Sequence, residues 1–117
     1  LNLNSSCFSG SSLNLKAILW DSIFNYNRAE SAYLAGDICR FAGNNLNTRI
    51  IGVKEARFEV LRGTRMPAIL IEVGFLSNSK EEQLLREGFY REKLSESIME
   101  GIECYVKNVK SKEYLKK

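Results

Sequence analysis

Residues 68–73, "AILIEV", are apolar at both parities of an extended chain, and they constrain the fold more than any other stretch. A half-buried strand alternates, so this run predicts a strand covered on both faces, as in the centre of an α/β sheet. Pro67, the only proline, stands at its entrance, where a missing N–H is tolerated. Glu72 alone breaks the run, two residues before Gly74. A carboxylate taken out of water without a partner is costly. In open α/β sheets, ligands gather at the carboxyl ends of strands, which is where Glu72 falls. Two readings stand side by side: an acid that serves chemistry, or an ion pair to Arg57, Arg62 or Arg65 that only braces the turn.

The rest of the chain reads as alternating elements. Leu1 to Asn4 alternate as a strand end does, and residues 5–12, "SSCFSGSS", form a polar loop. Ala17 to Phe24 suit a strand. Asn27 with Glu30 resembles a helix start, after which Ala32, Ala35, Cys39 and Ala42 line one stripe until Gly43. Ile50 to Val53 and Phe58 to Leu61 read as extended segments. Ser79 and Glu82 fit a capping box for a short helix ended by Gly88. A last helix begins near Tyr90, with Leu94, Ile98, Ile102, Tyr105 and Val109 along one face. Strands alternating with helices predict an α/β layered sheet with flanking helices. At 117 residues the chain forms one domain, 1–117.

Composition narrows the function classes. With 44% hydrophobic and 26% charged residues, the balance is that of a folded protein. No run of eighteen apolar residues is present, so no transmembrane segment is predicted. The net charge is +3, and Lys107, Lys110, Lys112, Lys116 and Lys117 crowd the tail. They suit a solvated helix end or an anionic partner. A single aromatic residue, Tyr114, falls among them, too little interleaving for nucleic acid to be a predicted partner. Cys7, Cys39 and Cys104 form no C-x-x-C pair, and the last two sit in apolar helical patterns as small hydrophobes. There is no histidine, so any imidazole chemistry must draw on another source.

The longer string "GVKEARFEVLRGTRMPAILIEVGFLSN", residues 52–78, resembles the family of zinc-dependent N-acetylmuramoyl-L-alanine amidases of the type 3 class. The resemblance continues through the helix start after Asn78 to "ESIMEGIECYV", residues 96–106. It covers the last two thirds of the chain closely and the first third loosely. Its implications are specific. The fold would be the phosphorylase/hydrolase-like amidase fold, lacking its N-terminal strand and helix. Glu72 matches the family's catalytic glutamate. The activity would be cleavage of the amide between N-acetylmuramic acid and the first L-alanine of the peptidoglycan stem peptide. A zinc ion would polarise water and carbonyl while the glutamate moves the proton.

The family holds zinc with two histidines and a glutamate that precede this region, and the chain carries no such set. In "LNLNS", residues 1–5, the resemblance puts Asn2 in the place of the second histidine and Asn4 on the family's asparagine; the alternative is that Asn2 is loop and the histidine's position lies upstream of Leu1. Zn2+ is thus expected of the family with an incomplete ligand set here, and the expected partners are peptidoglycan and an upstream segment of the same protein. Opening without Met, the chain reads as a piece of something longer, only marginally stable alone. Ile51 stands where arginine is common, and residues 13–24 lack the usual Gly-Ile-Glu string. Asn4, Arg62 and Arg65 are candidate substrate contacts, although the arginines also suit pairing with Glu55 or Glu59, and Asn4 and Asn78 suit loop fixing. The second reading is a degenerate amidase-like domain that binds peptidoglycan without cutting it. Either function places the protein outside the cytoplasmic membrane: extracellular, periplasmic or at the cell wall.

Overall fold

A computed structural model describes the backbone of residues 6–116 and the side chains of residues 14–116. Helix α1 runs Ser6–Asn45, a 3-10 turn spans Glu59–Leu61, and helices α2 and α3 cover Ser79–Arg86 and Gly88–Leu115. Helix α1 packs on α3, and α2 packs on the start of α3.

No strand or sheet forms among the described residues, which overturns the α/β layered sheet with flanking helices and the amidase-like sheet fold expected from the sequence. The reason is local ambiguity combined with missing pairing. An apolar run such as Ala17 to Phe24 fits a helix as well as a strand on periodicity alone. No proline lies between residues 6 and 45, and no glycine lies between Gly10 and Gly36, so α1 runs through it without a break. Residues 6–12 of the expected loop are helical too, and Asn27 and Glu30 lie inside α1 instead of at its start. Ile50 to Val53 and Ala68 to Val73 are neither helix nor strand. An extended segment becomes a strand only when a neighbour takes up its N–H and C=O groups. Here the one anchor at the entrance of the 68–73 run is the Ala68 N–H, which donates to Ser31 Oγ at 2.9 Å. Ser31 in turn donates to the Asn27 carbonyl at 2.7 Å. Phe58 to Leu61, expected to be extended, closes instead into the 3-10 turn, with Phe58 its extended cap. The strand end expected at Leu1 to Asn4 lies outside the described residues.

The buried apolar residues are Ile38, Ala42 and Leu46, spaced four apart so that they stand above one another on one face of α1 and just beyond it. They meet an unexpected face of α3. The predicted stripe on α3 included Ile102, which is 44% exposed, whereas Ser97 and Gly101 are buried. A Cβ on Gly101 would stand 2.5 Å from Ile38 Cα and 2.8 Å from its N, so the two backbones nearly touch there. Polar groups close both sides of this contact. Asn45 Nδ2 donates to Ser97 Oγ at 3.1 Å and to Glu100 Oε2 at 2.7 Å. Glu30, 7% exposed, accepts from Tyr105 Oη at 2.8 Å. Burial first, and then this bond, pushes the Tyr105 hydroxyl up to about 12.

A short helix forms where the sequence predicts one, but Ser79, the expected cap, is already the first residue of α2, and the cap lies one residue earlier. Asn78 Oδ1 accepts from the Lys80 N–H at 3.0 Å and from the Glu81 N–H at 3.3 Å, satisfying two donors that have no partner within the helix. Glu82 pairs with Arg86. Gly88 does not stop α2: Glu87 ends α2 and caps α3, and Arg91 donates to the Leu85 and Arg86 carbonyls at 2.8 and 2.7 Å. No described helix is long and apolar enough to cross a membrane.

Candidate active site

Glu72 sits on the non-helical run that leaves Pro67 and enters the turn before α2. Its side chain is exposed, and it makes no ion pair or hydrogen bond among the described residues. The bracing pair to Arg57, Arg62 or Arg65 is therefore absent. Arg62 pairs instead with Glu59 at 3.4 Å, and Glu55 is taken by Arg28. The Arg65 guanidinium lies over the Trp20 ring, 5.2 Å from its centroid. Such a cation–π contact holds the arginine head without neutralising it.

These groups share one open concavity of about 1430 Å³, bounded by α1, the 48–75 segment and α3. Glu72, Arg62, Arg65, Trp20, Phe75 and Tyr90 all line it. The structure thus places three of the predicted site residues, Glu72, Arg62 and Arg65, around one space. Asn2 and Asn4 lie outside the described residues. Asn78 serves as the α2 cap, the loop-fixing role weighed for it.

Two residues escaped the sequence reading. Ser31 anchors the entrance of the 68–73 run, and Glu81 Oε2 accepts the Phe75 N–H at 2.6 Å just beyond its exit. Ser31 gave no signal, because a helical serine that bonds a remote backbone amide has no sequence pattern. Glu81 did give one: it stands three residues after Asn78, where an acid can serve a helix start.

An exposed carboxylate lining the same wide concavity as arginines and aromatic rings belongs to the class of open sites that can exchange a proton with a large solvent-borne substrate. Comparison with known proteins gives that class its family. Residues 8–104 match the family model described as N-acetylmuramoyl-L-alanine amidase, and the chain belongs to that family. It is 31% identical over 105 residues to the N-acetylmuramoyl-L-alanine amidase LytC of Bacillus subtilis, covering 90% of this chain and 21% of that protein. It is 37% identical over 81 residues to the uncharacterized protein YqiI of the same organism, covering 69% of this chain and 39% of that one. A probable cell wall amidase of Staphylococcus saprophyticus, LytH, is 37% identical over 54 residues, covering 46% of this chain and 19% of its own length. The chain spans well under half the length of these curated relatives. No solved structure matches.

The donor set for a zinc ion does not fit. The chain has no histidine, and among the described residues no three of Cys, Asp and Glu come together as a metal-holding group. A catalytic zinc takes three protein ligands, so any such ion would need donors from outside these residues.

Proposed function

We propose that the protein carrying this chain hydrolyses the amide between N-acetylmuramic acid and the L-alanine of the peptidoglycan stem peptide, with Glu72 as the proton carrier. The observation that carries this reading is the placement of Glu72: exposed, without an ion-pair partner among the described residues, and lining the concavity it shares with Arg62 and Arg65. Family membership and the name of the Bacillus subtilis relative support the choice of bond.

The chemistry assigned to Glu72 is a shuttle. Its carboxylate takes a proton from the attacking water as the C–N bond is approached, then hands that proton to the departing nitrogen. Water is added across the amide: the muramic acid side gains a carboxylate, the alanine gains a free amine, and Glu72 ends as it began. In this reading Arg62 and Arg65, which line the same concavity, would hold anionic parts of the stem peptide. Zinc, expected of the family, would be held by donors that another segment of the protein supplies, and the site would work outside the cytoplasmic membrane, at the cell wall.

The test is release of stem peptide from purified cell walls by the full-length protein. Glu72→Gln keeps the shape and removes the base, and release should fall by about 10²- to 10⁴-fold, the usual contribution of a positioned acid or base. Retained release in that variant would remove Glu72 from the chemistry. A second reading, an amidase-like domain that binds peptidoglycan without cutting it, is favoured by the lack of a three-ligand metal group among the described residues. Wall binding by the parent protein with no peptide released would select it.

A further inference from the structure

The Glu72 side chain is exposed and makes no hydrogen bond or ion pair among the described residues, so the placing of that carboxylate falls to its backbone. The run it stands on has two anchors. Upstream, the Ala68 N–H is held by Ser31 at 2.9 Å. Downstream, the Phe75 N–H is held by Glu81 Oε2 at 2.6 Å. Between them, residues 69–74 donate and accept no backbone hydrogen bond among the described residues. Losing either anchor would loosen one end of the backbone that carries Glu72.

The downstream anchor is built into the start of α2. Asn78 donates from its N–H to the Phe75 carbonyl at 3.0 Å, and its side chain caps Lys80 and Glu81. Glu81 lies in the first helical turn, where an acid is favoured by the helix dipole, and it turns back toward the run. A Cβ on Gly74 would stand 3.2 Å from the same Glu81 oxygen and 3.5 Å from Leu85 Cδ1. Gly74 also adopts φ 151°, a conformation that glycine takes at no steric cost. Glycine therefore gives the carboxylate both its path and its backbone geometry. A charged acceptor makes a shorter and stronger bond to an amide than a neutral one, which suits a contact that helps to hold one end of a six-residue span.

We infer that Glu81 is a positioning residue for Glu72: its carboxylate clamps the Phe75 amide and so fixes the run that presents the proton-carrying acid. This rests on the reading of Glu72 given above. Three variants of the full-length protein, Glu81→Ala, Glu81→Gln and Glu72→Gln, are compared by kinetics of stem-peptide release and by amide hydrogen exchange at Phe75. Removing the clamp in Glu81→Ala should lower kcat about 10- to 100-fold, as misplacement of a reacting group by about 1 Å does, and leave KM within about threefold. Exchange at Phe75 should accelerate in the same variant. Glu81→Gln keeps a carbonyl oxygen of the same reach, so it should restore slow exchange and most of kcat. Should Glu81→Ala not fold, Glu81→Asp, one methylene shorter, takes its place. Phe75 exchange unchanged on losing Glu81, or accelerated exchange with kcat unchanged, would overturn the clamp. Glu72→Gln keeps these outcomes separate: it should cut release by about 10²- to 10⁴-fold with Phe75 exchange unmoved, and undiminished release in Glu72→Gln removes the reading of Glu72 whatever the exchange data say.

Discussion

At the scale of single residues, the α1–α3 contact is governed by what is small or paired. Gly101→Ala would push a methyl group into the Ile38 backbone, which cannot rotate away as a side chain can. Alanine gains about 1 kcal/mol of helix propensity over glycine, but overpacking of this kind costs about 1–3 kcal/mol, more where backbones collide. Urea unfolding should show a net loss. Gly36→Ala is the control: nothing lies within 4 Å of its added methyl, so it should stabilise by up to about 1 kcal/mol. Tyr105 gives a pH signature. Its hydroxyl rises from the ordinary 10.0 to about 12 through burial first, then the bond to Glu30, then the charges of Glu30 and Tyr26. The unfolded chain therefore releases this proton at lower pH than the folded one. The stability tied to it is whole below pH 10 and drains away as pH rises through about 12. Denaturation across that window should be flatter for Tyr105→Phe, which at neutral pH should cost about 1–3 kcal/mol by leaving a buried Glu30 oxygen without its donor.

At the scale of elements, what the sequence disclosed depended on whether the signal was local. The start of α2 was legible because a cap is a contact between near neighbours, and only the choice between Ser79 and Asn78 slipped by one residue. Asn78→Ala should cost about 1 kcal/mol and fray α2, seen as faster exchange at Lys80 and Glu81, the two amides it caps. The α3 face was misread because an apolar stripe scores Ile102 and ignores Ser97 and Gly101, although close helix approach selects small residues. Ala17 to Phe24 suits a strand in the sequence because a short apolar run carries no period, and only its length and uninterrupted context mark it as helix. Ala68 to Val73 failed differently. Its apolar character at both parities was real, but a sheet is a property of two segments, and no second segment pairs with it among the described residues. In the candidate site, Glu72 stands out in the sequence through the family string, whereas the Arg65–Trp20 stack and the Ser31 anchor join residues 45 and 37 positions apart and leave no mark in the linear sequence.

At the scale of the whole molecule, surface decides stability. The chain exposes 10006 Å², against about 6,500 Å² for a compact protein of its size. Its radius of gyration is 20.7 Å, against about 13 Å. Extents of 77 × 39 × 18 Å describe a long, thin body in which Leu15, Ile18, Leu19, Ile23 and Phe24 remain in water. Burial is the main favourable term in folding, and each ordered residue costs about 1–2 kcal/mol of backbone entropy, so a body this open has little surplus. The dependence of stability on urea scales with the surface that unfolding exposes, and here that surface is small. The 117-residue chain by itself should therefore unfold in a shallow, low-midpoint urea transition, with a slope at or below about 1 kcal/mol per molar, the bottom of the range for small proteins. Far-ultraviolet circular dichroism is the probe to use, because three helices supply the signal while the single tryptophan, Trp20, is already 53% exposed and would report little. A steep transition at high urea would mean that the chain in solution buries far more apolar surface than this architecture does. The exposed face of α1 would then be the first place to look for what had closed over it.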